Sequence, residues 1–204
     1  IYLWEYAHRI IARIFGSIFL IFLIYFYITK QLSKNNLIFL SFVFFLIVIQ
    51  GLIGWIMVKS GLENAVSVSH YRLALHLLIA FFITTLIYWL VLNFINKTEI
   101  SIFSLHSKHL IFLFLLLCLF AQITIGAFVS GLDAGKIYQS WPSMNGSFFP
   151  DDISLSSLSF DQPSFVQFLH RNLAYLITLL IIFLGYKILI KQKKLLYKNQ
   201  KFTF

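Results

Sequence analysis

Five apolar stretches, each long enough to cross a bilayer, constrain this chain more than any other feature. A spanning helix needs about 20 mostly apolar residues, and residues 4–28, 37–58, 69–95, 109–130 and 165–190 all qualify. Hydrocarbon offers backbone groups no water to bond, so such stretches fold as helices. Composition points the same way: 60% of the residues are apolar and only 11% are Asp, Glu, Lys or Arg, against about 25% charged in an average soluble domain. Too few polar side chains remain to coat a water-facing surface. A soluble globular enzyme, a disordered tail and a nucleic-acid-binding domain are excluded. The expected fold is an all-α integral membrane protein with five transmembrane helices. The chain opens at Ile1, in sequence that reads as the middle of something, and shows no signal peptide. It is therefore expected to be a piece of a longer protein.

The net charge of +9 is topological rather than a nucleic-acid signal. Lys30 and Lys34 lie between the first and second stretches, and Lys97 and Lys108 between the third and fourth. Lys187, Lys191, Lys193, Lys194, Lys198 and Lys201 crowd the tail, while only Lys59 and Lys136 lie on the other side, with Asp133, Asp151, Asp152 and Asp161. Ten lysines against two put the first set in the cytoplasm or matrix. The basic tail is also placed to meet anionic membrane lipid. Residues 131–164 hold all three prolines and read as an external loop with little regular structure. The single cysteine, Cys118, excludes a disulfide framework within the chain and sits in an apolar run, as a small packing residue does.

Two echoes run through the chain. His8-Arg9-Ile10-Ile11-Ala12 in the first stretch matches His170-Arg171-Asn172-Leu173-Ala174 in the fifth. Gln50-x-x-x-Gly54, leading to Val58-Lys59-Ser60-Gly61-Leu62, matches Gln122-x-x-x-Gly126, leading to Val129-Ser130-Gly131-Leu132. Together they favour duplication. If the first stretch corresponds to the fifth, one span is missing before this chain and two after it. The whole would be an eight-helix protein of two repeated four-helix bundles. Residues 1–95 would belong to the first unit and residues 109–190 to the second, with 131–164 outside.

His8, His76 and His170 lie inside apolar spans at a similar depth near the outer face. A polar side chain there is costly and usually has a task. Two imidazoles from different helices at one height, around an apolar cavity, form a bis-histidine haem site, and His8 and His76 would face each other across the first bundle. The plainer alternative is a hydrogen bond from each His to a neighbouring helix. Three at one level, two of them in repeated H-R-x-x-A sequences, favour haem, with Ala12 and Ala174 leaving room one turn below. His106 and His109 fall at the opposite surface and His70 at a helix end, facing an interface or loop. Arg9, Arg72 and Arg171 each stand near one of the three histidines. They can bind haem propionates bidentately or snorkel to lipid phosphates. Glu5, three residues before His8 and on a similar face, can move protons or stabilise a cation beside a metal, or pair with Arg9, or cap its helix.

Trp4-Glu5-Tyr6-x-His8-Arg9, Gln50-Gly51-x-x-Gly54-Trp55-x-Met57-Val58-x-Ser60-Gly61-Leu62 and Val68-Ser69-x-Tyr71-Arg72-Leu73-Ala74-x-His76-Leu77 resemble haem A synthase. So do Gly126-Ala127-Phe128-Val129-x-Gly131-Leu132-Asp133-Ala134-Gly135, Trp141-Pro142-x-Met144-Asn145-Gly146 and Val166-Gln167-Phe168-x-His170-Arg171. The resemblance covers nearly the whole chain and is nearest the mitochondrial and alphaproteobacterial form, which lacks an extracellular cysteine pair. It implies an eight-helix enzyme of the bacterial or mitochondrial inner membrane. That enzyme oxidises the C8 methyl of haem o to a formyl group, giving haem a for cytochrome c oxidase. By motif match, His8 and His76 would hold the substrate haem and Glu5 would serve the chemistry. His170 would be one axial ligand of a haem b cofactor, its partner coming from a helix outside this sequence. The partners implied are haem o, an electron donor, haem O synthase and cytochrome oxidase assembly factors, with a homo-oligomer left open.

Two alternatives from other classes stay open on sequence. A bis-histidine cytochrome b that only transfers electrons would need the histidines but not Glu5. A haem-free transporter would need a polar route, for which Gln50 and Gln122 are the only candidates; both can instead be ties between helices beside close-packing Gly54 and Gly126.

Overall fold

Each apolar stretch becomes one helix. The computed structural model describes residues 2–63, 68–96, 110–153 and 158–200. The helices are α1 (Tyr2–Thr29), α2 (Lys34–Glu63), α3 (His70–Asn96), α4 (Leu110–Gly131) and α5 (Pro163–Gln200). All five are long and apolar enough to cross a membrane, as expected. Lys97, His106, Lys108, His109 and Lys201 lie outside the described residues.

Local chemistry sets the ends. Ser33 starts α2, its hydroxyl accepting from Asn36 N–H at 3.3 Å and its carbonyl from Leu37 N–H at 3.0 Å, the usual serine N-cap. Ser69 starts α3, its carbonyl accepting from Arg72 and Leu73 N–H, both at 3.1 Å. Pro163 occupies the first position of α5, where its missing N–H costs no bond. Lys30 ends α1 and Asp133 follows α4 in the left-handed region, at φ 53° and 52°. Inside the spans, hydroxyls turn back on their own helix. Thr84, Thr85, Thr124 and Thr178 donate to the carbonyls of Ala80, Phe81, Phe120 and Ala174 at 2.8–2.9 Å. Each donor is thereby satisfied without water.

The chain divides into two compact units, Ile1–Leu105 and His106–Phe204. In the first, α2 packs against both α1 and α3, while α1 and α3 have no backbone approach within 8 Å among the described residues. Phe19 stacks on Phe44 between α1 and α2, and Phe39 meets Trp89 edge-on between α2 and α3. Val43, Ala74, Ile83 and Leu90 are buried. Elsewhere the helices are apolar all round, and Ile11, Phe22 and Tyr88 are largely exposed, as lipid contact requires. An apolar cleft between α1 and α2, lined by Phe15, Phe19, Phe22, Phe26 and Leu40, offers no polar group and lies away from the histidines.

In the second unit α4 and α5 pack on each other and on the Ala134–Lys136 3-10 turn. The connection between them carries little regular structure, as its Pro, Ser and Asp content predicts. It is nonetheless closely packed, with Ala134, Tyr138, Met144, Pro150 and Ile153 all buried. Asn145 and Gly146, at φ 54° and 90°, form a tight turn closed by Met144 N–H to Ser147 O at 2.7 Å and the reverse bond at 3.2 Å. Two positive φ values in succession are what an Asn-Gly type I′ turn supplies.

Candidate functional site

His8 is the seventh residue of α1 and His76 the seventh of α3, so each stands about two turns below the start of its helix. The helices come no closer than 8 Å backbone to backbone, yet His8 lies within electrostatic range of His76. The first unit therefore places these two imidazoles near enough to interact, on two helices that both pack against α2. His76 is half-buried and His8 exposed.

The His76 ring sits on bare backbone. A Cβ at Gly54 would stand 3.0 Å from His76 Cε1, 3.5 Å from Nδ1 and 3.7 Å from Nε2. One turn earlier on α2, Gln50 Nε2 donates to the His76 carbonyl at 2.9 Å. Two buried polar atoms at this level have no partner: His76 Nδ1 and Gln50 Oε1. A buried unsatisfied polar atom costs about 1–3 kcal/mol, a sign that something else is meant to complete the site.

The second unit repeats the device. A Cβ at Gly126 would stand 3.2 Å from His170 Cε1 and 3.7 Å from Nδ1. Gln122 Nε2 donates to the His170 carbonyl at 3.2 Å and lies 3.0 Å from its Nδ1 and 3.2 Å from its Nε2. Gln122 Oε1 is buried without a partner. The second sequence echo thus has a local cause of its own: each of α2 and α4 receives the histidine of the helix that follows it.

The arginines diverge. Arg171 Nη1 donates to Ser140 O at 2.8 Å and Nη2 to Tyr138 O at 2.6 Å, so part of its donor set is committed to the external connection. Gln167 completes that anchor, giving Nε2–H to Tyr138 O at 2.8 Å and accepting Tyr138 N–H at 3.2 Å. Arg9 is half-buried and Arg72 exposed, and neither side chain bonds another described residue. Glu5 is exposed in the first turn of α1 and likewise makes no hydrogen bond or ion pair with a described residue. Ala12 is exposed and Ala174 half-buried. His70 opens α3 and lies against Tyr71, ring centroids 4.1 Å apart.

Sequence reasoning did not single out a polar cluster beneath the loop. The Tyr138 hydroxyl bridges the carboxylates of Asp151 and Asp152, and the Ser164 hydroxyl donates to Asp152. The Ser164 bond, with help from Tyr138, holds the Asp152 carboxyl below its ordinary range. Burial, then the two carboxylates, pushes the Tyr138 phenol well up. Only the Asp-Asp pair in the sequence could have hinted at it.

Among the described residues no three His, Cys, Asp or Glu side chains gather as an ion-binding cluster. A metal here would have one or two protein ligands, as a haem iron does. Two imidazoles on different helices within electrostatic range, one with an orphaned ring nitrogen, are a donor set of the kind a bis-histidine haem takes.

A family model described as "Cytochrome oxidase assembly protein" matches residues 1–204. The chain is 47% identical over 192 residues to "Heme A synthase" of Pelagibacter ubique, covering 91% of this chain and 56% of that protein. It is 46% identical over 180 residues to "Heme A synthase" of Neorickettsia sennetsu, covering 87% and 54%. With the protein of that name from Bartonella quintana the identity is 41% over 181 residues, covering 86% and 50%. The chain thus spans about half the length of these curated relatives. No solved structure matches it.

Proposed function

Because the chain belongs to the cytochrome oxidase assembly protein family, we propose that it forms the substrate pocket and part of the cofactor site of a haem A synthase. With five spanning helices and that membership, it is a multi-pass inner-membrane protein. The activity proposed is oxidation of the C8 methyl of haem o to a formyl group by successive hydroxylation, giving haem a for cytochrome c oxidase. The observation that carries the reading is the electrostatic interaction of His8 with His76 from two helices whose backbones come no closer than 8 Å.

In this reading His8 and His76 hold the haem o substrate from opposite sides, and the apolar flanks of α1 and α3 take its macrocycle. His170 would hold haem b from one side, with a second residue supplied from outside this sequence. Haem b, when bound, supplies one-electron redox chemistry. The donor that feeds it, haem O synthase and the oxidase assembly factors are the partners this chemistry calls for. Glu5 stands one helical turn from His8, on the same face of α1. Oxidising a methyl to an aldehyde removes protons with electrons, and Glu5 is the carboxylate placed to accept or relay them. Arg9 and Arg72 keep free donors for propionates, while Arg171 has donors left after anchoring the loop, since a guanidinium carries five.

Gln50 and Gln122 both spend an amide hydrogen on a neighbouring helix's carbonyl. That role as ties argues against a transport route through them. The deciding experiment is haem extraction from membranes expressing the complete protein together with a source of haem o. Haem a formed at the expense of haem o is expected. Bound haem b with haem o untouched would leave an electron-transfer cytochrome, and absence of bound haem would overturn both.

A further inference from the structure

The two Gln-x-x-x-Gly segments make the same set of contacts in both units, and neither sequence echo nor fold requires that. In each, the glutamine reaches the carbonyl of a histidine on the next helix, and the glycine four residues on meets that histidine's Cε1. Residues four apart share a helix face, so tie and recess act on one histidine from one side. The carbonyl bond fixes the height of the ligand helix. The recess lets the imidazole edge approach backbone, centred on the carbon between its two nitrogens. Any Cβ at Gly54 or Gly126 would press on that carbon at 3.0 or 3.2 Å.

We propose that Gln50 with Gly54, and Gln122 with Gly126, are positioning residues that set the ring orientation of His76 and His170 as haem-iron ligands. The proposal rests on the bis-histidine reading above and deepens it. Groups behind a metal ligand orient its ring and tune the metal, and their loss typically costs about 10–100-fold in affinity or activity. The two seats differ in one respect. Gln122 also touches the His170 ring nitrogens, while in the first unit His76 Nδ1 stays unpartnered. The His170 ring is thus held at its edge as well as through its backbone.

The test uses the complete purified protein with its haems. Gly126→Ala places a methyl against the far end of a side chain that can turn away, so the helix pair is kept and the ring displaced. Gly185→Ala and Gly51→Ala are the controls, because a Cβ at either meets nothing within 4 Å. For Gly126→Ala we expect shifted low-spin haem g-values and an altered midpoint potential, with haem b retained about 10–100-fold less tightly. Gly54→Ala should leave the haem b spectrum unchanged and weaken haem o binding by a similar factor. Gln122→Leu should shift the haem b spectrum too, since it removes the amide that donates to the His170 carbonyl. Unchanged g-values and potential in both Gly126→Ala and Gln122→Leu would overturn the proposal. So would failure of both variants to accumulate while Gly185→Ala does, since the pair would then be holding helices together. His170→Ala separates the two readings: if it keeps the low-spin signal, the haem b assignment itself falls. If it loses the signal while Gly126→Ala is silent, only the seat falls.

Discussion

In the first unit His76 rests on Gly54 with its Nδ1 buried and unpartnered and His8 as its neighbour. In the second, His170 rests on Gly126 with Gln122 against its ring, beneath a packed loop pinned by Arg171 and Gln167. The same seat is therefore set in two surroundings. In one, a histidine ring nitrogen is orphaned and a second histidine lies within electrostatic range; in the other, the histidine ring is held by Gln122 and the loop is pinned to its helix. A substrate must enter and leave, whereas a cofactor stays. The difference matches the roles proposed for the two units, and it teaches that one local device can serve both once its surroundings change.

The sharpest way to break the comparison is to remove the histidines one at a time. In the complete protein, His170→Ala should abolish the low-spin haem b signal while haem o binding persists. His8→Ala and His76→Ala should do the reverse, stopping haem a formation with haem b intact. Optical and electron paramagnetic resonance spectra of purified protein, with extracted haems quantified alongside, decide it. Loss of haem b on removing His8 would show that the units do not divide the work in this way.

Next in size is Glu5, which has no counterpart in α5, where Gln167 stands three residues before His170. A general acid or base contributes about 10²–10⁴-fold in rate. Glu5→Gln should bind haem o normally and stall at haem o or a hydroxylated product, with conversion reduced within that range. Near-normal haem a yield would make Glu5 a structural residue and remove one distinction between the units.

Arg171 against Arg9 tests the covered end against the open one. Hydrogen bonds from a charged group are worth about 1.5–3 kcal/mol each, and Arg171 makes two to loop carbonyls. Arg171→Ala should lower the stability of the loop's docking by about 3–6 kcal/mol, read as faster protease cleavage within residues 131–164. Arg9→Ala, with no described partner to lose, should leave haem-free stability unchanged and weaken only haem o binding. Equal protease sensitivity in the two variants would remove the loop-anchor role.

The spans, their number and the position of the histidines along them were legible because hydrocarbon leaves so few choices: length and apolarity decide the helix, and a lone imidazole stands out within it. The pairing of Gln50 with His76 was not legible. It depends on which helices neighbour each other, and the Gln-x-x-x-Gly echo alone could be close packing or duplication. The loop was legible only in outline. Pro, Ser and Asp signal turns, but no local pattern encodes the burial of Tyr138, Met144 and Pro150 or the contacts of Tyr138, Phe148 and Phe149 with Gln167 and Phe168 of α5. For Arg171 the sequence suggested a propionate or phosphate partner, and its bonds to two loop carbonyls had no signal there.

The smallest expected effect is a pH dependence confined to the loop of the second unit. The Asp152 carboxyl lies below its ordinary range, first because Ser164 donates to it and then because Tyr138 does. A depressed carboxyl stabilises the fold above its unfolded value, about pH 4, and that contribution is lost as pH falls through the folded value. Tyr138 has the opposite sense. Its raised phenol keeps its contribution below about pH 10 and loses it as pH climbs further. Between those limits the loop should stay docked. A spin label at Gln139→Cys, an exposed loop position in a chain whose single Cys118 is buried, would report its mobility. Mobility should be flat through neutral pH and rise both in acid and above about pH 10. Ser164→Ala removes the larger cause of the Asp152 depression, so its acid transition should begin at higher pH than in the parent. An acid transition at the same pH in both proteins would mean that the loop is held by its apolar contacts and by Arg171, not by this cluster.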